Sequence, residues 1–324
     1  MTNDEMIKEL AGLAREARDY QAKHDLTTSR LIREFPGLGS DKTLGLIASG
    51  EPTKLEDLDL ERWLAEYRAT ITMMRTLEEK KARKDEVYDD LTTVKHLRLA
   101  VMEAMTDRSN SRLVLAVGPS GSGKTTALEM LQKRYGAKRV LLLEADETWK
   151  SPGPMLDAIA HAHGRTDLAT SLAGKLAGVL GDMRDTRVCL AIDEAHHMGV
   201  SALNLIKTLI NRTPCEVVLA AMDSLMKRLE WGSYEEVRQL TQNHLAERVR
   251  YGLPASADVG AMVTRRTGFT PDKSQVDTLG AKAAKNGHLK FVTLVCRKAT
   301  KLAGKDQVTA DILNTAMDQV ERTR

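Results

Sequence analysis

Two short stretches of the chain carry residues that could do chemistry. The first is Gly118-Pro119-Ser120-Gly121-Ser122-Gly123-Lys124-Thr125-Thr126, which opens on the spacing G-x-x-x-x-G-K-[ST]. Glycines at these places let successive backbone N–H groups turn inward onto phosphate oxygens. The Lys124 ammonium can then reach the β- and γ-phosphates of a nucleotide, and the Thr125 hydroxyl can ligate Mg²⁺. The second stretch is Val188-Cys189-Leu190-Ala191-Ile192-Asp193-Glu194, an apolar run that ends in two acids about 70 residues later. Asp193 would hold the same Mg²⁺, and Glu194 would polarise an attacking water. Each stretch alone has a plain reading: a chance glycine-rich loop, or a strand running out into a solvated acidic turn. The two together, in this order, specify a site for a nucleoside triphosphate.

Two further patterns lie beside these acids. Asp193-Glu194-Ala195-His196 spells the box of one helicase superfamily, but that superfamily's second motor domain does not fit in the rest of the chain. His196-His197, with His161 and His163, has neither cysteine partners nor H-E-x-x-H spacing, so no zinc site is expected there.

A phosphate loop works only between a strand and a helix, and the flanking sequence supplies both. The apolar run 113–117 precedes the loop, and a helical pattern at 125–135 follows it, its positive end aimed at the phosphates. Further apolar runs at 140–143, 188–192 and 217–221 alternate with helical patterns at 94–105, 155–163, 168–183 and 201–211. Strands alternating with helices mean a parallel sheet covered on both faces, and continuous apolar strands suit that burial. The expected fold class is therefore an α/β P-loop core.

The core is flanked by helical parts. Helices are expected at 6–21, after Thr27-Thr28-Ser29, from Ser40-Asp41 to Ser49-Gly50, and at 58–73. The short pair around Pro36-Gly37-Leu38-Gly39 reads as a helix-turn-helix. Residues 75–90 are dense in charge and read as a solvated helix or linker. After about 254 only helical patterns remain. The expected division is an N-terminal helical domain at 1–74, a linker at 75–90, the α/β domain at 91–254 and a helical lid at 255–324.

Composition bounds the rest. Aromatics are 4% of the chain, too few for a single-strand binder built on stacking platforms. Net charge is +3, but residues 255–324 hold 12 Lys/Arg against 7 Asp/Glu, so any basic footprint lies there. Residues 27–68 hold 6 against 8. Cys189, Cys215 and Cys296 lie far apart and read as buried free thiols in a reducing compartment. Charges within 1–10 exclude a signal peptide, and no apolar run is long enough for a membrane span, so a cytoplasmic protein with no membrane contact is expected.

The order of these motifs resembles the AAA+ ATPases, and more narrowly the transposition helper ATPases, over nearly the whole chain. The stretches Thr27-Thr28-Ser29-Arg30-Leu31-Ile32, Arg62-Trp63-Leu64-Ala65-Glu66-Tyr67 and Thr93-Val94-Lys95-His96 carry that narrower likeness. The resemblance implies ATP and Mg²⁺ as cofactors and a site completed by a neighbouring subunit in a ring or helical filament. It implies a catalytic Glu194 with Lys124. Gly287-His288-Leu289-Lys290 is similar to the sensor 2 signature, with Lys290 where arginine is commoner, and a lysine lacks the planar fork. Sensor 1 would follow the strand at 217–221, where Asp223 or Ser224 stands. The arginine finger would follow a helix around 235–247, where Arg248 is preferred over Arg250. The family's activity would make the chain an ATPase that polymerises on double-stranded DNA and recruits a transposase. The alternative is a replication-type loader acting on a protein partner. A module that merely holds nucleotide is disfavoured by Glu194, since holding needs no water-activating residue.

Overall fold

The computed structural model describes residues 2–24, 26–55, 58–106, 111–231 and 235–323, with the side chains of 79–87, 230–231 and 235–237 outside that description. The chain divides into two compact units, Met1–Arg83 and Lys84–Arg324.

The first unit is helical. Thr2 and Glu5 form a capping box that starts α1 (Asn3–Lys23), which buries Ile7, Leu10, Ala11, Ala14 and Ala17 along one stripe. Thr27 caps α2 (Thr28–Glu34). Pro36–Leu38 make a single tight turn, and Ser40 caps α3 (Asp41–Ser49), which stops at Gly50 with φ 66°. Then come α4 (Pro52–Leu55) and α5 (Leu60–Asp89). Leu31, Leu38, Leu44, Ile47, Leu64, Tyr67 and Ile71 join the α1 stripe in one core. The Tyr67 hydroxyl donates to Leu38 O at 3.0 Å. Arg68 and Arg75 of α5 each grip a carboxylate of α1, Glu9 and Glu16, through paired bonds of 2.6–2.8 Å. The helix expected to end near 73 runs on to Asp89. Residues 74–89 contain neither Gly nor Pro and are rich in Glu, Lys and Arg, which keep the helical backbone intact.

The second unit is built on a five-stranded parallel sheet. Its elements in chain order are α6 (Thr92–Thr106), β1 (Leu113–Val117), α7 (Lys124–Tyr135), β2 (Val140–Glu144), α8 (Pro152–Ala162), α9 (Leu172–Met183), β3 (Cys189–Asp193), α10 (Val200–Arg212), β4 (Glu216–Ala221), α11 (Asp223–Trp231), α12 (Glu235–His244), β5 (Leu245–Arg250), α13 (Ser256–Thr267), α14 (Lys273–Asn286), α15 (His288–Ala303) and α16 (Ala310–Arg322). The strand order is β2-β3-β4-β1-β5. Alternate residues of each strand feed two cores. Val114, Ala116, Ala191, Val218 and Ala220 pack with α6, α7 and the C-terminal helices; Leu113, Leu115, Leu190, Ile192 and Leu219 pack with α8 to α11. The expected doubly covered parallel sheet is present.

The fifth strand was not expected: 235–247 read as helix, but α12 stops at His244 and 245–250 pair with β1. Leu-Ala-Glu-Arg-Val-Arg carries charge because β5 is an edge strand, and an edge strand needs no continuous apolar run. Cys189, Cys215 and Cys296 are free and buried, as expected. Among the described residues no helix is long and apolar enough to cross a membrane.

Candidate functional site

The sheet order brings the two motifs together. β1 ends at Val117 and hands the chain through the glycine loop to α7, which begins at Lys124. β3 ends at Asp193 with β4 between it and β1, so the loop and the two acids face each other across the carboxyl end of β4. The Thr125 hydroxyl donates to Asp193 Oδ2 at 2.6 Å, and the Glu194 N–H donates to Asp193 Oδ1 at 2.9 Å. Asp193 is buried. A hydroxyl and a carboxylate side by side are the hard oxygen donors that Mg²⁺ takes.

Lys124 is buried, and its Nζ donates to Gly118 O and Pro119 O at 2.8 and 2.9 Å. Burial holds its ammonium below the usual lysine range, and the carboxylates of Glu194, Asp193 and Asp223 pull the other way. Asp223, the residue after Met222 at the end of β4, is thus one of three acids whose charge reaches Lys124.

The loop's shape depends on what touches it. Gly123 has φ 101° and Gly121 φ 77°, the left-handed region that suits glycine. A Cβ on Gly118 would lie 2.2 Å from Tyr251 O, just past β5. A Cβ on Gly121 would lie 2.4 Å from Gly287 O, where α15 begins. The Lys290 backbone N–H donates to Gly121 O at 3.1 Å. Strand end, loop and α15 therefore meet in close backbone contact.

Around this meeting point lies a cavity of about 350 Å³. Ser120, Gly121, Gly123, Lys124, Thr125, Thr126, Glu194 and Lys290 line its polar side; Tyr88, Leu91, Met262 and Leu289 line its apolar side. The apolar side is fixed from α13. Asp258, buried, accepts from the Thr92 N–H and hydroxyl at 2.9–3.2 Å and so caps α6 one residue after Leu91. Arg265 pairs with Asp90 at 2.6 Å, and the Arg266 guanidinium lies 5.2 Å over the Tyr88 ring.

Of the residues expected at the site, the loop, Asp193, Glu194 and Lys290 come together here. Pro119 and Ser122 belong to the loop's framework: their backbone and hydroxyl bond each other at 2.8 Å. Arg248 and Arg250 come after α12, which ends at His244, and lie two apart on one face of the edge strand β5, with Arg250 the more exposed. Sequence reading missed Tyr88 and Asp258, whose partners are distant in the chain. It set His196-His197 aside as a metal pattern and grouped them with His161 and His163, whereas Glu194, His196 and His197 bring one ligand atom each within 4.8 Å of one another.

Residues 106–229 match the family model of the AAA domain. No curated protein matches the chain. Among solved structures the chain is similar to two mutants of Thermotoga maritima RuvB, with 16% and 17% identity and TM-scores of 0.44 and 0.42, over 69% and 70% of this chain and 68% of each of those. It is similar also to domain III of the Thermotoga maritima replication initiation protein DnaA, with 12% identity and a TM-score of 0.48, over 74% of this chain and 96% of that one. The family match and the parallel sheet make residues 106–229 an AAA-type P-loop domain.

Proposed function

We propose that the chain is an ATPase that binds double-stranded DNA in its ATP-bound form, assembles on it as a ring or helical filament, and recruits a transposase to it. The observation that carries the ATPase reading is the 2.6 Å contact between Thr125 and Asp193, with Glu194 next in sequence and Lys124 one residue before Thr125. The residues present fit Mg²⁺ and ATP. Thr125 and Asp193 would hold the ion, the 118–126 loop with Lys124 would hold the phosphates, and the apolar side of the cavity would take the base. Bound Mg²⁺ supplies charge neutralisation at the transferring phosphate. Glu194 orients the attacking water and accepts its hydrogen bond. Lys290 reaches the γ-phosphate from the lid, and Arg248 reaches a neighbouring subunit's nucleotide, which ties turnover to assembly.

The narrower reading rests on the resemblance to the transposition helper ATPases, phage Mu transposition protein B among them. DNA contact in this reading is made to the backbone, is salt-sensitive and draws on the basic lid segment 255–324. The short helices α2 and α3 would give a second contact, to DNA or to protein. The test is ATP turnover with and without plasmid DNA, beside negative-stain microscopy of the chain with ATPγS. DNA-stimulated turnover and filaments on duplex DNA are expected. ATP binding without either would overturn the transposition reading in favour of a loader that acts on a protein.

A further inference from the structure

The Glu194 carboxylate has a neighbour that the nucleotide chemistry leaves unused. Glu194 sits at φ 50° and ψ 31°, in the left-handed region that residues with a Cβ seldom occupy, so the turn after β3 must be held by other contacts. That turn is the short helix Ala195–His197. Arg228 of α11 clamps it: Nη2 donates to His196 O at 2.8 Å and Nη1 to Met198 O at 3.1 Å. α11 starts two residues after β4, so the clamp is anchored to the strand that separates the loop from the acids.

Held this way, the His196 side chain is only 13% exposed and places Nδ1 3.1 Å from Glu194 Oε2. Nδ1 is buried and has no aligned hydrogen-bond partner, although the carboxylate stands within reach of it. A buried polar nitrogen left unpaired is costly, so a small rotation of the Glu194 side chain that aligns the contact is favoured. Burial holds the His196 ring below the usual histidine range; Glu194 opposes this, while His197, Lys124 and Arg228 reinforce it. The ring is therefore neutral near pH 7, and it can offer Nδ1–H to the carboxylate.

We propose that His196 is a positioning residue that holds Oε2 of Glu194 and leaves Oε1 to accept the hydrogen bond of the attacking water. The proposal rests on the reading of Glu194 as the water-activating group. Asp193-Glu194-Ala195-His196 then has a use of its own on this fold: the fourth residue fixes the rotamer of the second, and Arg228 fixes the fourth. Imidazole on one carboxylate oxygen leaves the other aimed without restraint from a mobile chain, and misplacement of such a group by about 1 Å costs on the order of 100-fold.

The test is steady-state ATP turnover and ATPγS affinity of the full chain carrying His196→Ala, His196→Asn, His196→Gln, Glu194→Gln and the double change Glu194→Gln with His196→Ala. His196→Ala should lower kcat by about 10- to 100-fold with KM and ATPγS affinity unchanged. His196→Asn, whose amide N–H stands near the place of Nδ1, should recover most of kcat, and His196→Gln should not. In the Glu194→Gln background, His196→Ala should add nothing. The proposal is overturned if His196→Ala turns over at the wild-type rate, if His196→Asn is as slow as His196→Ala, or if affinity and kcat fall together. A wild-type rate for Glu194→Gln would sink the underlying reading of Glu194. A slow Glu194→Gln beside a fast His196→Ala would sink the positioning role alone.

Discussion

Gly121→Ala isolates the contact between the phosphate loop and the start of α15. Two costs arise. A residue with a Cβ at φ 77° is strained by about 1–2 kcal/mol. Its Cβ would also stand 2.4 Å from Gly287 O, at least 0.6 Å inside the 3.0 Å that real Cβ atoms keep, and the obstacle is backbone. Relief must push the start of α15 away and lengthen the 3.1 Å bond from the Lys290 N–H to Gly121 O, worth about 0.5–1.5 kcal/mol. The total is about 1.5–3.5 kcal/mol, or roughly 3–14 °C of melting temperature for a unit of this size. Gly268→Ala is the control. Gly268 has φ 74° but nothing within 4 Å of the added Cβ, so it carries the left-handed strain alone. Thermal unfolding by circular dichroism and ATPγS titration together decide the matter. Both variants should melt lower, Gly121→Ala by several degrees more, and only Gly121→Ala should bind nucleotide more weakly because it displaces Lys290. Equal melting shifts with wild-type affinity for both would refute the claim that α15 rests on the loop.

Other outcomes follow from the same geometry. Lys124→Ala should abolish ATP binding in a filter or calorimetric assay, while Glu194→Gln should bind ATP and remain on DNA as a trapped polymer in pelleting experiments. Because burial lowers the Lys124 pKa, its ammonium is lost at lower pH than an exposed lysine's, so ATP affinity should begin to fall below pH 10.5 as pH rises; calorimetry across pH 7–10 checks this. Glu216 is buried at the start of β4 between Arg139, at 3.1 Å, and Arg187, at 3.3 Å. Glu216→Ala should cost about 3 kcal/mol in urea unfolding, because it strands the half-buried Arg139. In the first unit, hydrogen bonds from Arg68, Arg75 and Lys23 hold Glu9, Glu16 and Glu78 below the ordinary 4.5. Carboxylates with lowered native values add stability above pH 4.5 that is lost as pH falls through those values, so hydrogen exchange across 3–78 should accelerate in that window first.

The parts of this site that were legible in the sequence are those whose chemistry is contiguous. Gly118 to Thr125 and Ile192-Asp193-Glu194 announce themselves because neighbours in the chain are also neighbours at the site. Lys290 was legible through its own short signature. Parts made by distant pairs were not. Nothing near Thr92 says that Asp258 will cap it, 166 residues on, and nothing near Gly121 says that Gly287 will close over it. β5 was lost for another reason: an edge strand tolerates Glu247, Arg248 and Arg250, and that pattern reads equally as an amphipathic helix. The continuity of α5 was half legible: charge density at 75–90 left a solvated helix and a linker both open, and Glu, Lys and Arg are good helix formers that carry the helix on to Asp89.

The place of β1 in the sheet bears on how the protein comes into being. β1 is flanked by β4 and β5, and both partners lie far downstream of it, at 216–221 and 245–250. During synthesis at about 5–20 residues per second, this strand of five buried apolar residues waits roughly 5–20 s for its first neighbour and longer for its second. Meanwhile β2 and β3, which pair only with later segments and each other, can already meet. The nascent chain thus carries an unpaired, aggregation-prone strand beside an unformed phosphate loop, and the loop takes shape only when β5 and then α15 have emerged to close on it. The earliest strand of the sheet to be made is among the last to be secured.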